Sequence, residues 1–217
     1  MLRHDVDGGR GAFRVEVNLP GAPGTPPVPW ITSNPIYVGY GPAQSVQQPK
    51  RTAATTRAEL YVDGPAPDWT VEHSRPSQGA LDVVKAVTGT QLLLRYALSG
   101  PVSSHPYAAL VVPAGSALAS HDRLTFKAHA SRPMRVSVQV RTPSVDPAGE
   151  RWHRSVFVDT TPREISVWFD DMKPRGTTST PTPPLEKVGW ILFVVDTVNT
   201  APGTAGQFFL DDVRYER

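Results

Sequence analysis

The chain has 217 residues, 39% of them hydrophobic, and a formal net charge of +2. That is enough apolar material for one large β domain or for one domain with an appendage, and near-neutrality without a Lys/Arg cluster speaks against a nucleic-acid partner. The absence of cysteine excludes disulfides, thiolate nucleophiles and thiolate metal sites, and the lack of a long apolar run argues against a membrane span.

Taken in order, the chain starts with "MLRHDVDGGRG", which has no apolar centre of the kind a signal peptide needs. Residues 1–40 continue through "LPGAPGTPPVPW", too short and too proline-rich to bury a core, and are expected to form an extended arm or a domain remnant. Residues 41–57, with most of "QSVQQPKRTAATTRA" (44–58), read as a polar linker. From 58 onward strand-like runs recur: "AELYVDG", "QLLLRYAL", "YAALVVP", "RLTFKAHA", "MRVSVQVR", "RWHRSVFVD", "REISVWFD", "GWILFVVD" and "GQFFLDDVRY". "ALDVVKAV" (80–87) reads as helix or strand. Gly, Pro, Asp or Ser punctuates each run. About ten short strands predict an all-β fold, an antiparallel β-sandwich of the jelly-roll kind over 58–217. The polar stretch "KPRGTTSTPTPP" (173–184) is expected to project as a loop.

The most informative stretch is "RVSVQVR" (135–141). Side chains alternate along a strand, so the valines face a core while Arg135, Ser137, Gln139 and Arg141 share the other side. Solvent alone does not require an ordered row of that composition.

Two stretches resemble known families. "RVEVNLPGAPGTPPVPWITSNPIYVG" (14–39) resembles the C-terminal edge of PHP-type, carbaryl-hydrolase-like metallohydrolases. That likeness implies that residues 1–40 are the remnant of an upstream hydrolase domain; no metal ligand carries over, since "HDVD" (4–7) lacks the required spacing. Over 58–217, the order "YVDG", "LLLRYAL", "DRLTFKAHA", "MRVSVQVR", "RW", "PREISVWFDDM", "GQFFLDDVRY" resembles the galactose-binding-like β-sandwich of family 11 carbohydrate-binding modules and complex I intermediate-associated proteins. The resemblance implies a non-catalytic accessory domain that holds a polysaccharide or oligosaccharide on the concave face of one sheet. It implies an extracellular or periplasmic location for the full-length protein, and an upstream catalytic domain as partner.

On that reading Arg135, Gln139 and Arg141 are the polar anchors. Guanidinium and carboxamide groups suit hydroxyls, while Trp152, Trp168, Tyr96 and Tyr107 are candidates to stack on sugar C–H faces. The same resemblance implies a structural calcium ion between Asp63 in "YVDG" (or Glu72) and Asp211 in "FFLDDV". Strict alternation sets Asp211 and Asp212 on opposite faces, so one of the two is available. The six histidines show no ligand spacing. A hydrolase is the weaker alternative: "AGSAL" (114–118) is no nucleophile elbow, and a glycosidase would need Glu150, Glu164 and Asp170 to face one groove. A structural domain docking to a PHP-type hydrolase is the other alternative.

Overall fold

The computed structural model describes residues 11–17, 20–21, 31–33, 36–38, 51, 53–101, 104–144 and 149–217. The chain divides into two compact units, residues 1–52 and 53–217. The first holds two short antiparallel ladders, β1 (Gly11–Phe13) with β4 (Ile36–Val38) and β2 (Glu16–Val17) with β3 (Ile31–Thr32). Most of the arm and the linker expected over 1–57 lies outside the described residues.

The second unit runs β5 (Arg57–Tyr61), β6 (Thr70–His73), β7 (Gln78–Lys85), β8 (Thr90–Ala97), β9 (Tyr107–Pro113), β10 (Arg123–Ala130), β11 (Met134–Arg141) and β12 (Arg151–Val158). It continues with β13 (Arg163–Trp168), β14 (Lys173–Pro174), β15 (Trp190–Asp196) and β16 (Ala205–Glu216). One sheet has the order β13-β10-β16-β8-β7, with β5 also paired to β16; the other has the order β14-β12-β11-β15-β9-β6. Every pairing is antiparallel. This is the expected β-sandwich. The ambiguous segment 80–87 is strand as far as Lys85, paired with β8 through a turn at Gly89, whose φ of +68° favours glycine.

The core follows from alternation. Val136, Val138 and Val140 of β11 are fully buried, as are Leu124 and Phe126 of β10 and Ile191 and Phe193 of β15. Phe193 sits at the centre, 5.0 Å from the Phe126 ring and 6.0 Å from that of Trp69. Burying these side chains is the main drive for closing the two sheets.

Two departures from simple alternation matter for the site. First, β16 carries a bulge: Lys127 pairs with Asp211 but Thr125 pairs with Arg214, and Asp212 adopts φ +53°. The extra residue resets parity, so Val213 and Tyr215 return to the core. Asp212 meets Lys127 at 3.0 Å, on the same outer side as Asp211, which corrects the opposite-face expectation. Second, the polar segment 173–184 is pinned down. Glu150 accepts from the Ser179 N–H and hydroxyl at 2.8 and 2.7 Å, and the Trp152 indole donates to the Thr180 carbonyl at 3.0 Å.

Candidate ligand-binding face

The outer face of the second sheet is built from cross-strand neighbours. Arg141 stands between Arg151 on β12 and Trp190 on β15; Gln139 stands between His153 and Leu192; Ser137 stands between Ser155 and Val194. On β9 the same face carries Tyr107, Ala109 and Val111, and on β6 it carries Glu72. Ala109, Val111, Leu192 and Val194 form a second apolar cluster, separate from the main core, on which Tyr107 and Trp190 pack. The sequence signal for it is the unbroken apolar character of "YAALVV" and "WILFVV", typical of strands covered on both faces.

Tyr107 and Trp190, with Glu72, Arg141, Arg151 and the turn at 142–144, line an open cleft of about 690 Å³. Its fixed element is a bidentate ion pair: Arg141 Nη1 and Nη2 donate to Glu72 Oε2 and Oε1 at 2.8 and 2.7 Å. Two parallel charge-assisted bonds set both orientation and distance. The Arg141 guanidinium also lies 4.8 Å from the Trp190 ring centroid, a cation–π contact that holds the indole in place. The hydrogen bonds from Arg141 keep the Glu72 carboxyl below the usual range against the effect of burial, helped by the Arg141 and Arg151 charges. Burial, reinforced by the Arg175 charge, keeps the neighbouring His153 below the ordinary histidine value.

The anticipated row therefore does not project as three solvated heads. Gln139 is fully buried, giving its amide N–H to Ser137 Oγ at 3.1 Å while its Oε1 has no partner among the described residues. Arg141 is locked by Glu72. Arg135 is exposed and leans on Ser155, donating to its hydroxyl at 2.8 Å and its carbonyl at 3.0 Å. The aromatic candidates are corrected more sharply. Trp152 and Tyr96 are buried between the sheets, Tyr96 donating to the Met134 sulfur at 3.4 Å, so neither presents a ring to a ligand. Trp168 is on β13 of the other sheet, with the Arg123 guanidinium 4.4 Å from its ring. Of the four aromatic candidates Tyr107 alone lines the cleft, and Trp190, which heads an apolar run, joins it there.

Glu150 and Glu164, two of the three carboxylates a glycosidase would need in one groove, lie at different sheets. Glu164 belongs to the first sheet, where it accepts from Arg214 at 2.7 Å, while Glu150 precedes β12 of the second and holds Ser179.

Asp63 and Asp211 do approach one another, near the Tyr61 hydroxyl, which burial pushes above its ordinary value against the Thr90 hydrogen bond, with the Asp211 and Asp63 charges adding to the shift. Asp63 Oδ1 accepts from the Thr90 hydroxyl at 2.6 Å and the Gly64 N–H at 2.8 Å. Calcium takes about six to eight oxygens. Among the described residues no group of three or more His, Cys, Asp or Glu gathers at one point, so two carboxylates alone do not meet that demand and no role is derived for a metal. Burial, with the Asp212 and Asp63 charges, pushes the Asp211 carboxyl above the usual range despite the bond from the Asp212 N–H. A carboxyl raised by folding gives stability that is complete below its unfolded value, about 3.9, and is lost as pH rises through the folded value. Asp211→Asn is therefore expected to raise Tm at about pH 7 and leave it unchanged near about pH 3. Identical melting of variant and parent at neutral pH would count against this account.

No protein-family model and no curated protein matches the chain. Solved structures do. The family 11 carbohydrate-binding module of the cellulosomal cellulase Lic26A-Cel5E of Clostridium thermocellum superposes with a TM-score of 0.60 at 17% identity, over 75% of this chain and 95% of the module. A family 11 module from the same organism, solved with a β-1,3-1,4-mixed-linked tetrasaccharide, gives 0.57 at 16% identity, over 73% and 93%. The family 30 module of the C. thermocellum cellulase Cel9D-Cel44B gives 0.51 at 10% identity, over 74% and 96%. The chain thus has the two-sheet fold of the carbohydrate-binding modules. Within that class it is similar to family 11, as the motif order in 58–217 implied; the likeness read in 14–39 finds no support in these comparisons.

Proposed function

We propose that the sandwich is a non-catalytic carbohydrate-binding domain whose ligand lies along the cleft between Tyr107 and Trp190. The observation that carries this reading is the joint presence, in one open cleft on a rigid sheet, of two half-buried aromatic rings and the bidentate Glu72–Arg141 pair. Sugar C–H faces gain from ring contact, while hydroxyls need polar groups of fixed direction. Because strands and an ion pair hold these groups in advance, little ordering is required on association. Hydroxyls exchange water for protein partners, so the net gain per hydrogen bond is small and the affinity modest. The similarity to modules of cellulosomal cellulases supports an accessory role beside a catalytic domain, acting on glycans outside the cytoplasm.

The test is calorimetric titration of the chain with neutral and acidic oligosaccharides, repeated on Tyr107→Ala and Trp190→Ala. Each truncation is expected to weaken binding by roughly tenfold or more, as for buried aromatic anchors, with an unchanged β-sheet circular dichroism spectrum. Silence toward every glycan from an intact fold overturns the proposal.

A further inference from the structure

We propose that the ligand is an anionic glycan, whose carboxylate or sulfate groups meet the arginines beside Tyr107 and Trp190; this rests on the carbohydrate-binding reading above. The outer face of the second sheet carries Arg135, Arg141, Arg151, Lys173 and Arg175. Its acids among the described residues are Glu72 and Asp196, which leaves five cations against two carboxylates. That is a local surplus of three positive charges among the described residues of one face.

Two of the cations are opposed directly. Arg141 and Arg151 are register partners on β11 and β12, an arrangement that disfavours like charges, and both line the cleft. Burial and the Arg141 and Arg175 charges loosen the proton on Arg151, a field that a bound anion relieves.

The hydrogen-bonding inventory points the same way. Glu72 spends both oxygens on Arg141. Asp196 accepts from Arg175 at 3.1 Å through Oδ2, and from the Val198 N–H and the Asn199 amide at 3.2 and 3.3 Å through Oδ1. Arginine only donates. Among the described residues the charged groups of this face are therefore mostly donors, and both carboxylates are engaged. A neutral hydroxyl must both donate and accept, whereas a carboxylate or sulfate only accepts, and the guanidinium fork fits its paired oxygens.

Titrating the full chain with oligogalacturonate, a sulfated galactan oligosaccharide, mixed-linked β-glucan oligosaccharide and poly-glutamate distinguishes the cases. At least one anionic glycan is expected to bind about tenfold or more tighter than the neutral one, roughly what a charge-assisted bond contributes. Which one does so identifies the anion. Its affinity should fall steadily between about 20 mM and about 300 mM salt, as screening tightens. Arg151→Gln should weaken it by about tenfold, and Lys173→Gln, on an exposed edge, by about two- to threefold. Neutral glucan binding as tightly as both anionic glycans overturns this inference and leaves the carbohydrate-binding reading standing. Poly-glutamate binding as tightly as the glycans also overturns it, as general charge attraction. Failure of all glycans overturns both.

Discussion

Replacing Trp152 by alanine is expected to destabilise the sandwich by about 3–5 kcal/mol, the range for deleting a large buried aromatic side chain. The ring is fully buried within the main core. Its removal would leave a void that strands fixed by ladders on both sides of β12 cannot close. The indole also ties down the 173–184 segment through its bond to the Thr180 carbonyl. That carbonyl keeps a second donor, the Thr178 hydroxyl at 2.9 Å, so most of the loss is packing. For a chain of this size the corresponding drop in Tm is roughly 6–20 °C. Trp152→Phe, which fills much of the space but lacks the N–H, should lose about 1–2 kcal/mol. Urea titrations of the three proteins provide the measurement. An alanine variant as stable as the parent but defective in glycan binding would return Trp152 to the role of a stacking platform.

The pattern of its own strand points Trp152 inward. In "RWHRSVFV" the inward set is Trp, Arg, Val, Val and the outward set is His, Ser, Phe, together with Arg151. Three of the four inward residues are apolar against one of the four outward ones, so alternation already favours the core for Trp152 even though Arg154 interrupts the set. Tyr96 is the same case in a cleaner form: Leu92, Leu94 and Leu98 share its parity, and that pattern puts it in the core. The valines of β11 were legible because one of their two faces is wholly apolar. What a single strand cannot disclose is which sheet it joins. Trp168 has an outward direction that alternation gave correctly, yet it stands on the opposite sheet from Arg141. The site proper is a long-range product: Glu72 and Arg141 are 69 residues apart, and nothing local marks them as partners. Trp190 escaped notice because it heads an unbroken apolar run and reads as core. The bulge at Asp212 depends on a single residue in the left-handed region, which aspartate tolerates without announcing it.

Glu216→Ala is expected to cost about 3 kcal/mol at neutral pH, the lower end of what breaking a buried ion pair does. Glu216 is only 6% exposed, between Arg123 at 4% and Arg214 at 7%. It accepts from Arg214 Nε at 2.9 Å, the Thr125 hydroxyl at 3.0 Å and Arg123 Nε at 3.3 Å, and it faces Arg57 at 3.2 Å. Truncation does not leave these arginines wholly without anions: Arg214 retains Glu164 and Asp212, and Arg123 retains Asp122. That is why the lower figure applies. Burial raises the Glu216 pKa, but the bonds from Arg214, Thr125 and Arg123 outweigh it and hold the carboxyl below the usual range. A carboxyl lowered by folding contributes stability above its unfolded value, about 4.3, and that contribution disappears as pH falls through the lower folded value. The difference in Tm between parent and Glu216→Ala should therefore be largest at neutral pH, roughly 6–12 °C, and should close as the pH drops below about 4. Thermal melts across that range measure it directly. Two curves that stay parallel into acid would show that the carboxylate is not what holds the arginines on the outer face of the first sheet, and that their burial has another cause.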